Sequence, residues 1–220
     1  LRASTFESRS HGMSEGGVRK ITVGGRSEAQ TQGRAVIAGA FAAEPFGARR
    51  TKRAYTALTD GMVTLAFEVA TLHLHRRPNP TEAEKLAVIA VGGYGRGEMA
   101  PQSDVDLLFL TPYKITGWAE SVIESMLYIL WDLKLKVGHS SRTVKDCLRL
   151  GAEDFTIRTA MLEHRFLCGF EPLATELDGK LWSDLFKGSE AEFIEAKLEE
   201  RDARHEKQGG QRYMVEPNVK

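Results

Sequence analysis
Val91–Leu110 reads VGGYGRGEMAPQSDVDLLFL, glycines at 92, 93, 95 and 97 followed by Asp104 and Asp106 at the head of an apolar run. The segment before it, Lys85–Val91, is apolar through Val88, Ile89 and Val91 and is closed by Gly92-Gly93, the pattern of a short buried strand running into a turn. Asp104–Leu110 is a second strand. Side chains alternate along a strand, so Asp104 and Asp106 share one face while Val105, Leu107 and Phe109 share the other. Two carboxylates ~5 Å apart at an effective dielectric near 20 repel by about 3 kcal/mol, a cost that calls for a cation between them. Mg²⁺ fits, because it accepts one or two carboxylates and completes its shell with water and phosphate oxygens. Gly92 and Gly93, lacking Cβ atoms, let a triphosphate approach the backbone; Ser103 is placed to cap the turn or donate to a phosphate, and Arg96 to offset phosphate charge.

Two other phosphate motifs are excluded by context. Gly95-Arg96-Gly97-Glu98-Met99-Ala100 satisfies a relaxed G-x-G-x-x-G/A, but Pro101 follows and a strand begins near Asp104, leaving no room for the helix that motif opens. A Walker A loop is ruled out by the lack of Gly-Lys-Ser/Thr after the glycines. A plain glycine-rich turn, with Asp104 as a strand-initiating cap and Asp106 as a buried hydrogen-bonded carboxylate, is the competing structural reading.

Outward from this stretch, the spacing of Leu58, Met62, Leu65, Val69 and Leu72 predicts an amphipathic helix over 58–75, ended by Pro78 and Pro80. Val122, Met126, Ile129, Leu130 and Leu133 predict a core helix over 118–135, with Gly138 to stop it. His139–Val144 suits a third strand, and Asp154–Phe166 a helix with Asp154 as N-cap. Glu190–Lys207 is a charged helix with a thin apolar stripe of Phe193, Ile194 and Leu198. Residues 1–35, rich in Ser, Gly, Arg and Thr, are expected to be disordered. This divides the chain into that segment, a helical lead-in over 36–80, a catalytic α/β unit over 81–185 and a charged connecting helix over 186–220. The order of elements gives a small mixed sheet covered by helices, an α/β (α+β) fold.

Composition limits the remaining possibilities. In 220 residues, 42% hydrophobic, the 30 basic and 30 acidic side chains cancel, so overall charge argues for neither a nucleic-acid nor a membrane partner. Cys147 and Cys168 lack metal-site or C-x-x-C spacing and read as buried thiols of a reducing compartment. With no apolar run of membrane-spanning length and no signal-peptide pattern, the cytoplasm is expected. The opening on Leu1 suggests a fragment or a lost start.

An apolar strand, Gly-Gly, about ten residues and Asp-x-Asp on a second strand resemble the nucleotidyltransferase superfamily that includes DNA polymerase β and the aminoglycoside nucleotidyltransferases. More narrowly, GGYGRGEMAPQSDVDLLFL, LWDLKLKVGHSSRT, TAMLEHRFLCG and the closing ARHEKQGGQRYMVEPNVK resemble, in order and spacing, the N-terminal part of the PII uridylyltransferase/uridylyl-removing enzymes, from about residue 54 onward. The resemblance implies a nucleotidyltransferase fold with additional helices on both flanks. It implies Mg²⁺-dependent transfer of UMP from UTP to a tyrosine of the nitrogen-signalling protein PII, with Asp104 and Asp106 as catalytic metal ligands and Gly92, Gly93, Arg96 and Ser103 on the nucleotide. Adenylyl transfer to a protein tyrosine is the nearby alternative, since nothing in the loop reads the base; a non-catalytic nucleotide-binding scaffold is the competing class.

The superfamily's third carboxylate has no counterpart on VGHSSRTV, leaving Asp154, Asp146 and Glu163 as candidates. His139 and Arg142 are equally suited to a phosphate or base contact and to ordinary strand roles. The family's uridylyl-removing phosphohydrolase and glutamine-sensing domains lie beyond the matching segments, and the histidines here show no His-Asp doublet. Neither activity is expected of this chain.

Overall fold
The computed structural model describes residues 15–44, 46–79 and 81–207. Four strands form one sheet in the order β3-β2-β1-β4: β1 (Ala87–Ala90), β2 (Val105–Thr111), β3 (Val137–Thr143) and β4 (Arg165–Gly169). β1 pairs antiparallel with both β2 and β4, and β2 pairs parallel with β3. A parallel neighbour requires a crossover, supplied by α4 (Gly117–Asp132). The helices before it are α1 (Glu15–Ala43), α2 (Ala48–Glu68), continued by a π-helical turn Val69–Leu74, and α3 (Gly92–Gly95). After β3 come α5 (Val144–Glu153) and α6 (Phe155–Leu162); after β4 come α7 (Glu171–Lys180), continued by a π-turn Leu181–Phe186, and α8 (Glu190–Lys207).

The alternation read from β2 decides the layering. Val105, Leu107 and Phe109, with Val88 and Ala90, join α2 and α4 in one core through Val63, Ala66, Val122, Met126 and Leu130. Leu108 and Leu110, with Ala87 and Ile89, face a second core of Val144, Cys147, Met161, Leu177 and Leu181. The sheet is therefore covered on both faces. Asp106 belongs by alternation to the second face, at the end where β2 begins.

Several expectations are corrected. Glu15–Ala43 is helical where composition argued for disorder; residues 1–14 and the closing motif Glu216–Lys220 lie outside the described residues. The glycines of α1 make it a weak helix by propensity, and tertiary packing supplies what propensity does not. Gly33 lets Leu58 of α2 approach so closely that a Cβ would lie 3.1 Å from its Cδ1. Arg34 stacks over the Tyr55 ring at 5.4 Å, and Ile37 packs against the first core. Gly138 does not stop α4: it lies within β3, and the helix ends through Lys134 at φ 60. The helix expected to reach Phe166 ends at Leu162, because Arg165–Gly169 pairs with β1 as an edge strand whose short apolar run has no helical or strand period of its own. Asp154 is the expected N-cap, accepting from Thr156 N at 2.6 Å and Ile157 N at 3.2 Å.

Cys147 is buried and Cys168 half-buried, both free; burial pushes their thiols up to about 11 and about 12. Among the described residues no helix is long and apolar enough to cross a membrane.

Candidate active site
The end of β1, the start of β2 and the start of β3 meet at one edge of the sheet. Val91 N–H donates to Asp106 O at 3.1 Å, which brings the glycine turn beside the second aspartate. Gly92 takes φ +58, a conformation that L side chains rarely adopt, and a Cβ there would lie 3.8 Å from Asp106 Oδ2. From the opposite side, Gly138 of β3 is the register partner of Asp106, and a Cβ on it would lie 2.6 Å from Asp106 Oδ1. Two glycines thus flank one carboxylate, and any side chain at 138 would displace it. Asp104, exposed, sits one residue before β2.

Burial raises the Asp106 pKa above its ordinary value, and the nearby Asp104 charge raises it further. The pair therefore interacts as like charges. The donor set, two hard carboxylates at a glycine-lined edge, fits Mg²⁺, and ion binding there would relieve the repulsion. Among the described residues no group of three or more His, Cys, Asp or Glu gathers as a metal site. The candidates for a third carboxylate have other partners. Asp146 forms a capping box with Thr143 (Oγ1 to Oδ2, 2.7 Å), Asp154 caps α6, and Glu163 is ion-paired with Arg96.

That last pair gives Arg96 a partner within the chain. Its guanidinium, expected on phosphate, engages Glu163 and is about half exposed. Gly93 stays close to it: a Cβ would lie 3.7 Å from Arg96 Nη2. Ser103 accepts from Ala100 N at 2.9 Å and so closes the turn ahead of Asp104, while an accepting hydroxyl retains its own proton to donate. His139, exposed on β3, meets Phe109 edge-on at 6.4 Å, and Arg142 lies further along the same strand.

A network that the sequence did not reveal anchors the glycine turn. Tyr94, 1% exposed, donates its hydroxyl to Asp60 Oδ1 at 2.7 Å. Arg165 of β4 grips Asp60 with both terminal nitrogens, at 2.9 and 3.0 Å, and its Nε donates to Gly95 O at 3.3 Å. Burial, then the Asp60 charge, drives the Tyr94 hydroxyl far above its ordinary pKa, so it stays a donor at every physiological pH. Gly95 itself admits nothing larger, since a Cβ would fall 1.6 Å from Glu163 O. The rest of the loop hangs on the lead-in helices: Met99 N–H donates to Thr56 Oγ1 at 3.2 Å, Lys52 pairs with Glu98 at 3.1 Å, and Arg34 donates to Pro101 O at 2.6 Å.

A glycine turn and an aspartate pair are brought together by adjacent strands, and residues 76–166 match the nucleotidyltransferase domain family. Over these residues the chain carries a nucleotidyltransferase domain. Within that class it is similar to proteins named bifunctional uridylyltransferase/uridylyl-removing enzyme. It is 72% identical to the one from Ruegeria pomeroyi over 193 residues, 88% of this chain and 21% of the relative. It is 68% identical to that of Cereibacter sphaeroides over 202 residues, 92% of this chain and 22% of the relative. A third, from Phenylobacterium zucineum, is 57% identical over 174 residues, 79% of this chain and 19% of the relative. These relatives carry the name of the enzymes that the motifs resemble. The chain spans about a fifth of the length of these relatives.

Proposed function
We propose that this domain transfers UMP from UTP to a tyrosine hydroxyl of the PII signalling protein in the cytoplasm. The observation that carries the reading is the like-charged pair Asp104/Asp106 set between Gly92 and Gly138. The names of the relatives support the uridylyl group, and the family resemblance supports PII as acceptor. Asp104 and Asp106 would hold Mg²⁺, which when bound supplies charge neutralisation for the triphosphate and the departing pyrophosphate. Gly92 and Gly93 leave the backbone open to phosphate, and Ser103 retains a hydroxyl proton for it. The acceptor oxygen bonds to the α-phosphorus as the bond to the β-phosphate oxygen breaks; pyrophosphate leaves with the electron pair and the hydroxyl proton passes to solvent. The protein's part is positioning and electrostatic complement.

The test is transfer of labelled UMP from UTP to PII by the natural full-length chain with Mg²⁺. Asp104→Asn and Asp106→Asn are expected to abolish it with the fold intact, and transfer persisting in both overturns the metal seat. A panel of UTP against ATP separates uridylyl from adenylyl transfer. Nucleotide binding with no transfer to any protein tyrosine would favour the scaffold reading.

A further inference from the structure
The two outer strands of the sheet are finished differently. β4 is five residues long, its register against β1 shifts between Val88 and Ile89, and it ends at Gly169 in left-handed backbone, φ +96. Short, irregular edges of this kind discourage a further strand. β3 instead pairs with β2 without interruption from Val137 to Thr143 and holds neither proline nor bulge. Gly138, His139 and Ser141 on it are exposed. Asp106 O accepts from Val91 on one side of β2, and Val105 N–H donates to Lys136 O on the other, at 2.8 Å. Carried along β3, that alternation turns the backbone groups of the even-numbered residues 136 to 142 toward β2 and those of His139 and Ser141 out of the sheet. Among the described residues no strand pairs with these outward groups.

This open edge adjoins the aspartate pair. Gly138 is the register partner of Asp106, so the two residues share one face of the sheet. Because Gly138 has no side chain, only bare backbone separates the Asp106 carboxylate from the edge on that face. Strands lie ~4.8 Å apart, so a residue on a strand added outside β3, opposite Gly138, would stand ~10 Å from Asp106 with its side chain on the same face. A tyrosine in that place, leaning over Gly138, is long enough to bring its hydroxyl to a nucleotide held at the aspartates. The proposed reaction needs such an approach, because its acceptor is a tyrosine within a polypeptide. Main-chain hydrogen bonds to an exposed strand edge give an extended peptide its affinity. His139 and Ser141, opposite Leu107 and Phe109 on the other face, are placed to contact the residues that flank the tyrosine.

We infer that the outer edge of β3 takes the tyrosine-bearing segment of the acceptor protein as a fifth strand, in the register that sets the tyrosine opposite Gly138. The inference rests on the nucleotidyl-transfer reading and adds to it the place where the acceptor docks. Amide hydrogen exchange is measured at single-residue resolution on the natural full-length chain, with and without saturating PII. Mg²⁺ and a UTP analogue with a methylene between the α- and β-phosphates are present, so that no transfer occurs. PII is expected to slow exchange at His139 and Ser141 about tenfold or more, and to change Gly138, Ser140 and Arg142 little, since these already bond to β2. Unslowed exchange with PII overturns the proposal. So does slow exchange at His139 and Ser141 without PII, because a segment of the chain itself then holds the edge. Ser141→Pro removes an outward N–H and no bond to β2, and is expected to raise KM for PII roughly fivefold with KM for UTP unchanged. An unchanged KM for PII, or an equal rise for UTP, counts against the edge; the exchange measurement needs no variant to fold. Transfer of UMP from UTP to PII is scored separately. Transfer without slowing at these amides removes the edge and leaves the transfer reading; slowing without transfer leaves the edge and removes the transfer reading.

Discussion
The two ends of the glycine turn Gly92–Gly95 are built on opposite principles. At its start, Asp106 stands beside a second carboxylate, flanked by glycines, with burial and Asp104 both raising its pKa. At its end, Asp60 is held by a bidentate arginine and a tyrosine hydroxyl. Both carboxylates are partly buried, yet Asp60 has a counter-charge in Arg165 whereas Asp106 has a like charge in Asp104, the one that a cation would neutralise under the proposed function. A carboxylate satisfied internally stabilises, and one left unpaired is available for binding. The paired end keeps the turn rigid so that the unpaired end has a fixed position.

The contrast can be broken most forcefully at the open end. Asp106→Asn is expected to lower UMP transfer about a thousandfold or more, consistent with the several kcal/mol that a catalytic metal seat supplies, and a radiolabel assay checks it. Gly138→Ala is the subtler variant there. Its Cβ, 2.6 Å from Asp106 Oδ1, should shift the carboxylate and cost about one to two orders of magnitude in kcat with a small change in denaturant midpoint. At the closed end the effect should fall on stability. Gly95→Ala forces a Cβ into the Glu163 carbonyl and should cost about 3 kcal/mol or more, read from urea unfolding. Tyr94→Phe removes one bond to a carboxylate that keeps its arginine, and should cost about 1 kcal/mol.

The smallest effect sharpens the contrast through pH. The folded-state pKa of Asp106 is raised, so the folded protein holds this proton more tightly than the unfolded chain; its ionisation therefore destabilises the fold, and stability is regained as pH falls through the raised value. Without metal, Asp106→Asn should be more stable than the parent at neutral pH, the advantage shrinking toward acid. Asp60→Asn should show the opposite sign at neutral pH, because it leaves Arg165 without its counter-charge. Thermal midpoints at a series of pH values check both.

The sequence by itself determined what depends on neighbours along the chain. The alternation of Val105 to Leu110 set the two faces of β2 and placed Asp106 on the face opposite Val105, while Asp154 before Thr156 and Ile157 declared a cap within one turn. The glycine turn was legible because Gly-Gly after a strand has few other uses. What only the tertiary structure decided are meetings across the chain: Gly138 against Asp106, Arg96 with Glu163, Asp60 with Tyr94 and Arg165, and α1 resting on Leu58. Periodicity carries no record of which distant partner a polar side chain will find. Gly138 looked like a helix stop, and the Arg96–Glu163 pair left no mark in the sequence, because only the folding of β3 beside β2 and of Glu163 beside the glycine turn makes these contacts possible.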